Sequence, residues 1–166
     1  MAKLKSLPKD AKYDTMDSPV AKLTIITSSK GLHAILWDNK DITENIMKSN
    51  TDKTIEKTKR QLTEYFEGKR KVFDLPLIFD GTDFQIQAWK QLMKIPYGKT
   101  ISYVEQATRI GDKNKARAVG MANGQNPISI IIPCHRVIGS NGTLTGFGGG
   151  LDKKAFLLNL EKHEQP

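Results

Sequence analysis

One cysteine occurs among the 166 residues, and it stands in Pro133-Cys134-His135-Arg136, directly after Ile130-Ile131-Ile132. An ionised thiol is a soft nucleophile. The free group titrates near 8.5, so only about a few per cent is thiolate at neutral pH unless a base or a cation helps. His135 and Arg136 are residue types that supply that help. A cysteine after three isoleucines is otherwise most simply an inert core residue. Against this, two polar cationic side chains follow at once, and each would need a partner if buried. Side chains adjacent along a strand point to opposite faces, so contact between Cys134 and His135 requires a turn at this point or a bridging water.

The elements that must hold this stretch are legible on both sides of it. Ile130 to Ile132 reads as a buried strand that Pro133 stops, because proline lacks a donor and pushes the residue before it towards an extended conformation. Cys134 is then expected at the exit of a rigid strand. Downstream, Ser140-Asn141-Gly142 turns the chain. The run Leu144-Thr145-Gly146-Phe147-Gly148-Gly149-Gly150 lacks the lysine-Ser/Thr ending of a phosphate loop and better suits a close-fitting loop around a flat ligand. A final helix is expected over 151–163, with Phe156, Leu157 and Leu160 inward and Glu161 near its end.

Upstream, Thr82-Asp83-Phe84-Gln85 has capping-box form and opens a helix with Phe84, Ala88, Trp89 and Leu92 on its apolar face. Ser102-Tyr103-Val104-Glu105 is a second such start. Gly111-Asp112 supplies a turn, Asp112 is placed as an N-cap, and a third helix is expected over 113–122 before Asn123-Gly124 and Asn126-Pro127 stop it. Two short helices across a glycine-containing turn suit a helix-turn-helix, with Lys113, Lys115 and Arg117 near the start of the second. Ala116, Ala118, Gly120 and Ala122 would let that helix approach another surface closely, either the protein's own core or a nucleic-acid groove.

Leu75-Pro76 and Asp80-Gly81 mark a boundary between domains 1–80 and 81–166. In the first, Tyr13 to Met16, Leu23 to Thr27 and Leu32 to Trp37 read as strands, with a hairpin turn at Ser28-Ser29-Lys30-Gly31 and a break at Asp38-Asn39-Lys40. A helix is expected over 52–66, ended by Gly68, followed by a strand near Val72 to Leu75. Nothing there carries chemistry, and a scaffold is the favoured reading.

Lys and Arg outnumber Asp and Glu by 26 to 18, with +3 over 1–81 and +5 over 82–166. That surplus favours a polyanionic partner. A lone cysteine cannot form an internal disulfide, which fits a cytoplasmic compartment, and no apolar run approaches a membrane span. The basic start Met1-Ala2-Lys3-Leu4-Lys5 lacks an apolar segment behind it and reads as a loose leader. With His33, His135 and His163 as the only histidines and no second cysteine, zinc-ligand arithmetic fails and no metal or other cofactor is expected.

The string Pro133-Cys134-His135-Arg136-Val137 resembles the active-site signature of the O6-alkylguanine-DNA alkyltransferases, the methylated-DNA–protein-cysteine methyltransferases. The resemblance runs from about Gly81 to Glu161 through Ile95-Pro96-Tyr97-Gly98, Ser102-Tyr103, Ala116-Arg117-Ala118-Val119-Gly120 and Asn126-Pro127. It weakens towards the N-terminus, where Met16-Asp17-Ser18-Pro19-Val20 still matches. It implies an α/β ribonuclease-H-like N-terminal domain followed by a mainly α domain with a winged-helix-like helix-turn-helix that enters the minor groove of double-stranded DNA, the protein acting as a monomer. It implies that a damaged guanine is flipped out and that its O6-alkyl group passes irreversibly to Cys134, with O4-alkylthymine as a second substrate. His135 would deprotonate the thiol through a water, Glu161 would orient His135, and Asn126 would brace the thiol region. Tyr103 would crowd a phosphate and help rotate the nucleotide, and Arg117 would fill the vacated stack beside DNA contacts from Lys113, Lys115, Ala116, Ala118 and Gly120. The base would sit in a pocket bounded by Pro133, Val137, Phe147, Gly148 and Gly149. Phe147 stands where relatives often have tyrosine, so the pocket wall loses a hydroxyl and keeps its aromatic surface.

The residues also admit two rivals. One is a DNA-binding regulator with a structural cysteine; the other is a cysteine hydrolase using Cys134, His135 and Glu161. Turnover separates them, since a regulator modifies nothing, a hydrolase is catalytic and an alkyltransferase is consumed.

Overall fold

The computed structural model describes residues 7–37, 45–147 and 149–163. The leader 1–5 and the strand break at 38–40 lie outside them. The chain divides between Asp80 and Gly81 into two compact units.

The N-terminal unit has the three expected strands, β1 (Lys12–Met16), β2 (Leu23–Ser28) and β3 (Gly31–Trp37), with the β-branched run Thr24-Ile25-Ile26-Thr27 in β2. β2 pairs antiparallel with both neighbours, and a short β4 (Met47–Lys48) joins β1 in parallel, giving the order β3-β2-β1-β4. β4 was not expected from the sequence. Helix α1 (Lys53–Phe66) begins where the Asp52 carboxylate accepts from the Ile55 amide at 3.0 Å, and it buries Ile55, Leu62 and Tyr65. Gly68, just past its end, has φ of 74°, a conformation that glycine adopts without a Cβ penalty.

The strand expected near Val72 to Leu75 is absent. Val72 is 76% exposed, and the backbone at Asp74 is satisfied by a side chain instead of a ladder. Gln61 accepts from Asp74 N at 2.9 Å and donates to Asp74 O at 3.1 Å. The chain rejoins the sheet only at an isolated bridge between Leu77 and Leu32. His33 is held by Ser28 Oγ at 2.7 Å from its Nε2.

The C-terminal unit is mainly helical. α2 (Asp83–Leu92) starts at Thr82 with both halves of its capping box formed. α3 (Tyr103–Ile110) starts at Ser102, whose hydroxyl accepts from the Glu105 amide at 3.0 Å. The Glu105 side chain does not complete a second box; it pairs with Arg109 one turn on, at 3.0 Å. Gly111 closes α3 at φ of 118°, and Asp112 caps a 3-10 turn over Lys113–Lys115 that leads into α4 (Ala116–Gly124). The third helix therefore begins as 3-10 and runs on through Asn123 and Gly124, which were expected to stop it. α3 and α4 are locked by reciprocal amide bonds between Gln106 and Asn123, at 3.0 and 2.8 Å, and Trp89 Nε1 donates to Ala122 O at 2.8 Å from α2. β5 (Ile101–Ser102) pairs in parallel with β6 (Val137–Ile138), and α5 (Leu151–His163) ends the described chain. Among the described residues no helix is long and apolar enough to cross a membrane.

Candidate active site

Ile130 to Ile132 is buried but is not a strand. Residues 129–131 form a turn in which Ile130 takes φ of 74°, and Ile132 N donates to Ile128 O at 3.1 Å. Positive φ on a β-branched residue is a rare conformation that the surroundings must impose. Asn126 imposes it, accepting from Ile128 N at 2.9 Å and donating to Ile132 O at 2.8 Å. One side-chain amide thus takes the place of a neighbouring strand. The isoleucines report burial, and burial alone does not distinguish a strand from a braced turn.

Cys134 accordingly does not leave a strand; it opens a buried 3-10 turn, Cys134–Arg136. This is the turn that adjacency of a thiol and an imidazole requires. Asn126 Nδ2 also lies 3.4 Å from the sulfur. Burial pushes the Cys134 thiol up from its ordinary value, opposed by the Asn126 bond and by the positive charge of Lys154. In the free protein the resting group is therefore a thiol.

His135 and Glu161 are both buried, with Nε2 and Oε2 2.6 Å apart. Burial would by itself raise the Glu161 carboxyl. The hydrogen bond and charge of His135, with those of Arg136, outweigh it and hold the group well below the usual carboxylate range. An ionised Glu161 can only accept, so Nε2 carries the hydrogen and Nδ1 is the basic nitrogen. Burial lowers His135 below its ordinary value despite Glu161, leaving it neutral. Nδ1 is buried with no hydrogen-bond partner among the described residues. The pair is a poised base with a fixed tautomer.

Arg136 is not the cation that serves the thiol. Its Nε and Nη2 hold Glu161 at 2.8 and 3.1 Å, and its Nη1 donates to Ile95 O at 2.7 Å. Gly98 N adds a contact to Glu161 at 3.3 Å. Ile95-Pro96-Tyr97-Gly98 thereby closes around the carboxylate.

Lys154 supplies the charge near the thiol, and sequence reasoning missed it. It is 0% exposed, donating to Thr145 O at 2.7 Å and lying 3.3 Å from the Tyr103 hydroxyl. Tyr103 itself donates to Thr145 O at 2.8 Å. The signal was available: Lys154, Leu157 and Glu161 follow one another at helical spacing and form the buried stripe of α5, whereas the expected inward Phe156 and Leu160 are only half-buried. A lysine in an inward register is read as exposed by residue type alone.

The structure thus gathers Cys134, His135, Glu161 and Asn126, and Tyr103 joins them only through Lys154, whose charge acts on the thiol. Pro133 and Val137 flank the turn and are buried, Phe147 and Gly149 are half-buried, and Gly148 lies outside the described residues. The basic residues lie on the outer face of the helix pair. Lys113, Lys115, Arg117 and Ala118 are exposed, Ala116 is half-buried, and Lys115 Nζ sits 5.5 Å from the centre of the Phe84 ring. Ala118 and Ala122 do not share an environment, since Ala122 is buried. Gly120 faces Tyr103, where a Cβ would meet the ring at 3.6 Å.

Two family models match. Residues 83–163 fit the 6-O-methylguanine DNA methyltransferase DNA binding domain, and 11–79 fit the ribonuclease-like domain of the same proteins. A Methanosarcina barkeri protein named methylated-DNA–protein-cysteine methyltransferase is 48% identical over 153 residues, covering 91% of this chain and 97% of its own length. A Mycobacterium tuberculosis protein of the same name is 46% identical, covering 93% and 94%. The crystal structure of the Mycobacterium tuberculosis O6-methylguanine methyltransferase superposes with a TM-score of 0.87 at 43% identity, covering 94% and 95% of the two chains. A structure of the Mycobacterium tuberculosis protein in complex with DNA gives 0.86 at 44%, covering 93% and 95%.

Proposed function

This chain belongs to the methylated-DNA–protein-cysteine methyltransferase family, and from that premise we propose that it repairs double-stranded DNA by moving the alkyl group of O6-alkylguanine, and of O4-alkylthymine, onto Cys134. The observation that carries the reading is the connected set Asn126, Cys134, His135 and Glu161, in which one buried thiol and one poised base share a single turn. A base inside a duplex cannot reach a buried sulfur, so the nucleotide must first be extruded. α3 and α4 act as a helix-turn-helix of the winged type, set in the minor groove by Lys113, Lys115 and other phosphate contacts, with Arg117 filling the vacated stack.

In the transfer step the Cys134 proton passes through a water to His135 Nδ1, and Glu161 stabilises the imidazolium from Nε2. The sulfur attacks the alkyl carbon, the carbon–O6 bond breaks, and guanine leaves with its electron pair. A proton from Tyr103 neutralises the departing ring, and Lys154 is placed to stabilise the phenolate. The thioether product has no acyl centre for water to attack, so each chain acts once. This separates the reading from a hydrolase, while the poised thiol and base separate it from a regulator. The N-terminal unit, of ribonuclease-H-like type, is the scaffold. The protein acts as a monomer in the cytoplasm, where a free thiol persists.

Intact-mass measurement after mixing with a duplex carrying O6-methylguanine tests the reading. One methyl group per chain, mapping to Cys134 and absent in Cys134→Ala, is the expected result. No mass increase, or repeated turnover of excess lesion by limiting protein, would overturn it.

A further inference from the structure

Met121 is a long apolar side chain left 70% exposed on α4. Single exposed apolar residues are common on protein surfaces, and exposure alone means little. What distinguishes Met121 is its company. Val119, Ala122 and Asn123 are the buried residues of α4 and Gly120 is turned to Tyr103, so Arg117, Ala118 and Met121 make up its solvent face. Arg117 and Met121 stand four residues apart, neighbours at about 5–6 Å on one face. Helical side chains lean towards the N-terminus, so the thioether lies over the turn that carries Arg117 and Ala118. Lys113 and Lys115, both exposed, sit at the same end.

A face that is cationic at one end, small in the middle and apolar one turn on is complementary to a nucleic-acid groove, whose walls are phosphate and whose floor offers deoxyribose and base edges. We propose that Met121 is a wedge that enters the minor groove beside Arg117 and holds the duplex open next to the extruded nucleotide. This rests on the DNA-binding reading given above. With base steps of about 3.4 Å, a side chain displaced by about 5–6 Å along the helix meets the duplex one to two base pairs from the gap that Arg117 fills. Apolar side chains inserted at base steps unstack and kink DNA in this way, and an unbranched thioether adapts to an irregular step. Met121 is a positioning residue, since it acts on the duplex and touches no reacting atom.

The test uses the full chain and a lesion duplex with 2-aminopurine one base pair from O6-methylguanine, read by fluorescence, beside duplex affinity and transfer to free O6-benzylguanine. Met121→Ala should cut the fluorescence rise and the rate of duplex repair about tenfold, while affinity and the free-base reaction stay within about twofold. Met121→Leu, similar in bulk, should restore both. An unchanged fluorescence rise in Met121→Ala would overturn the wedge. So would equal losses in affinity and opening, which would make the residue a general contact. Opening that depends on Met121 in a wild-type protein that transfers nothing would uphold the wedge and sink the repair reading instead. Because Met121 is exposed, the Ala variant should melt with the wild type, and circular dichroism checks this.

Discussion

Arg136 grips Glu161 through two hydrogen bonds, 2.8 Å from Nε to Oε1 and 3.1 Å from Nη2 to Oε2, and so fixes the carboxylate that orients His135. Both side chains are buried. Arg136→Met would take from Glu161 the cation that holds it, leaving a neutral His135 beside a buried carboxylate, and leave Ile95 O without its donor. Breaking a buried pair by removing one partner costs about 3–5 kcal/mol. Urea unfolding should show a loss of that size, with Arg136→Lys intermediate because it retains charge without the fork. A loss under about 1 kcal/mol would mean that the pair is not built as described.

Lys154→Met should shift reactivity in pH. Burial raises the thiol, and the Lys154 charge is one of the effects that opposes it. Removing the charge raises the group further. Single-turnover rates with free O6-benzylguanine should therefore climb at higher pH in Lys154→Met than in the wild type, with a lower rate near neutrality. A profile that only scales down, without moving along the pH axis, would detach Lys154 from the thiol and leave it the Tyr103 contact.

Asn126→Ala removes the acceptor of Ile128 N and one of two donors to Ile132 O, which keeps the Cys134 amide at 2.8 Å, along with the 3.4 Å contact to sulfur. A buried backbone group left unsatisfied costs about 1–3 kcal/mol. The turn carrying Ile130 at positive φ should relax, and the variant should lose about 1–3 kcal/mol for the one amide, Ile128 N, left without its acceptor. Asn126→Asp keeps the acceptor for Ile128 N and loses the donor to Ile132 O, so it should remain impaired. Full stability in Asn126→Ala would refute the bracing role.

Local signals were legible and compensated backbone was not. The Thr82 to Gln85 capping box, the hairpin at Ser28 to Gly31, the glycine end of α1 and the helix over 151–163 each depend on a few adjacent residues, and each is present. Ile130 to Ile132 was read as a strand because its apolarity reports burial, whereas Val72 to Leu75 is largely apolar without being buried, Val72 being 76% exposed. In both, a side-chain amide, Asn126 or Gln61, supplies backbone hydrogen bonds that pairing would have supplied. Cys134, His135 and Glu161 were singled out by residue type and resemblance, and the structure brings them together. Lys154 was missed because its burial depends on the register of α5, and Arg136 was assigned to the thiol because contact with Glu161, 25 residues away, leaves no local trace.

Stability should fall on both sides of neutrality. His135 is held below its ordinary 6.5 by burial. As pH drops below that value, the unfolded chain takes up a proton that the folded chain refuses, so stability declines. Glu161, held below its ordinary 4.5, adds a second loss as pH falls further. Cys134 is raised above 9.0, so at higher pH the unfolded chain sheds a proton that the folded chain keeps, and stability again declines. Melting temperatures of wild type and His135→Gln between pH 7.5 and 5.5, in a His33→Gln background, isolate the histidine contribution, since burial lowers His33 in the same direction. Parallel curves would exclude it.

Gly120→Ala should move stability and repair in opposite directions. Glycine within a helix is less favourable than alanine by about 0.5–1 kcal/mol, through the conformational freedom it loses on folding. The added methyl would meet Tyr103 at 3.6 Å, an ordinary van der Waals distance, so the fold itself does not require glycine there. The variant should therefore melt slightly higher. If the extruded nucleotide and its backbone pass α4 where Gly120 meets Tyr103, the same methyl narrows that approach. Duplex repair should then slow by about one power of ten, equivalent to about 1.4 kcal/mol in the barrier, while the reaction with free O6-benzylguanine is unchanged. Raised stability with undiminished duplex repair would place the close DNA approach elsewhere on the helix, and lowered stability would refute the reading that the fold does not require glycine at this position.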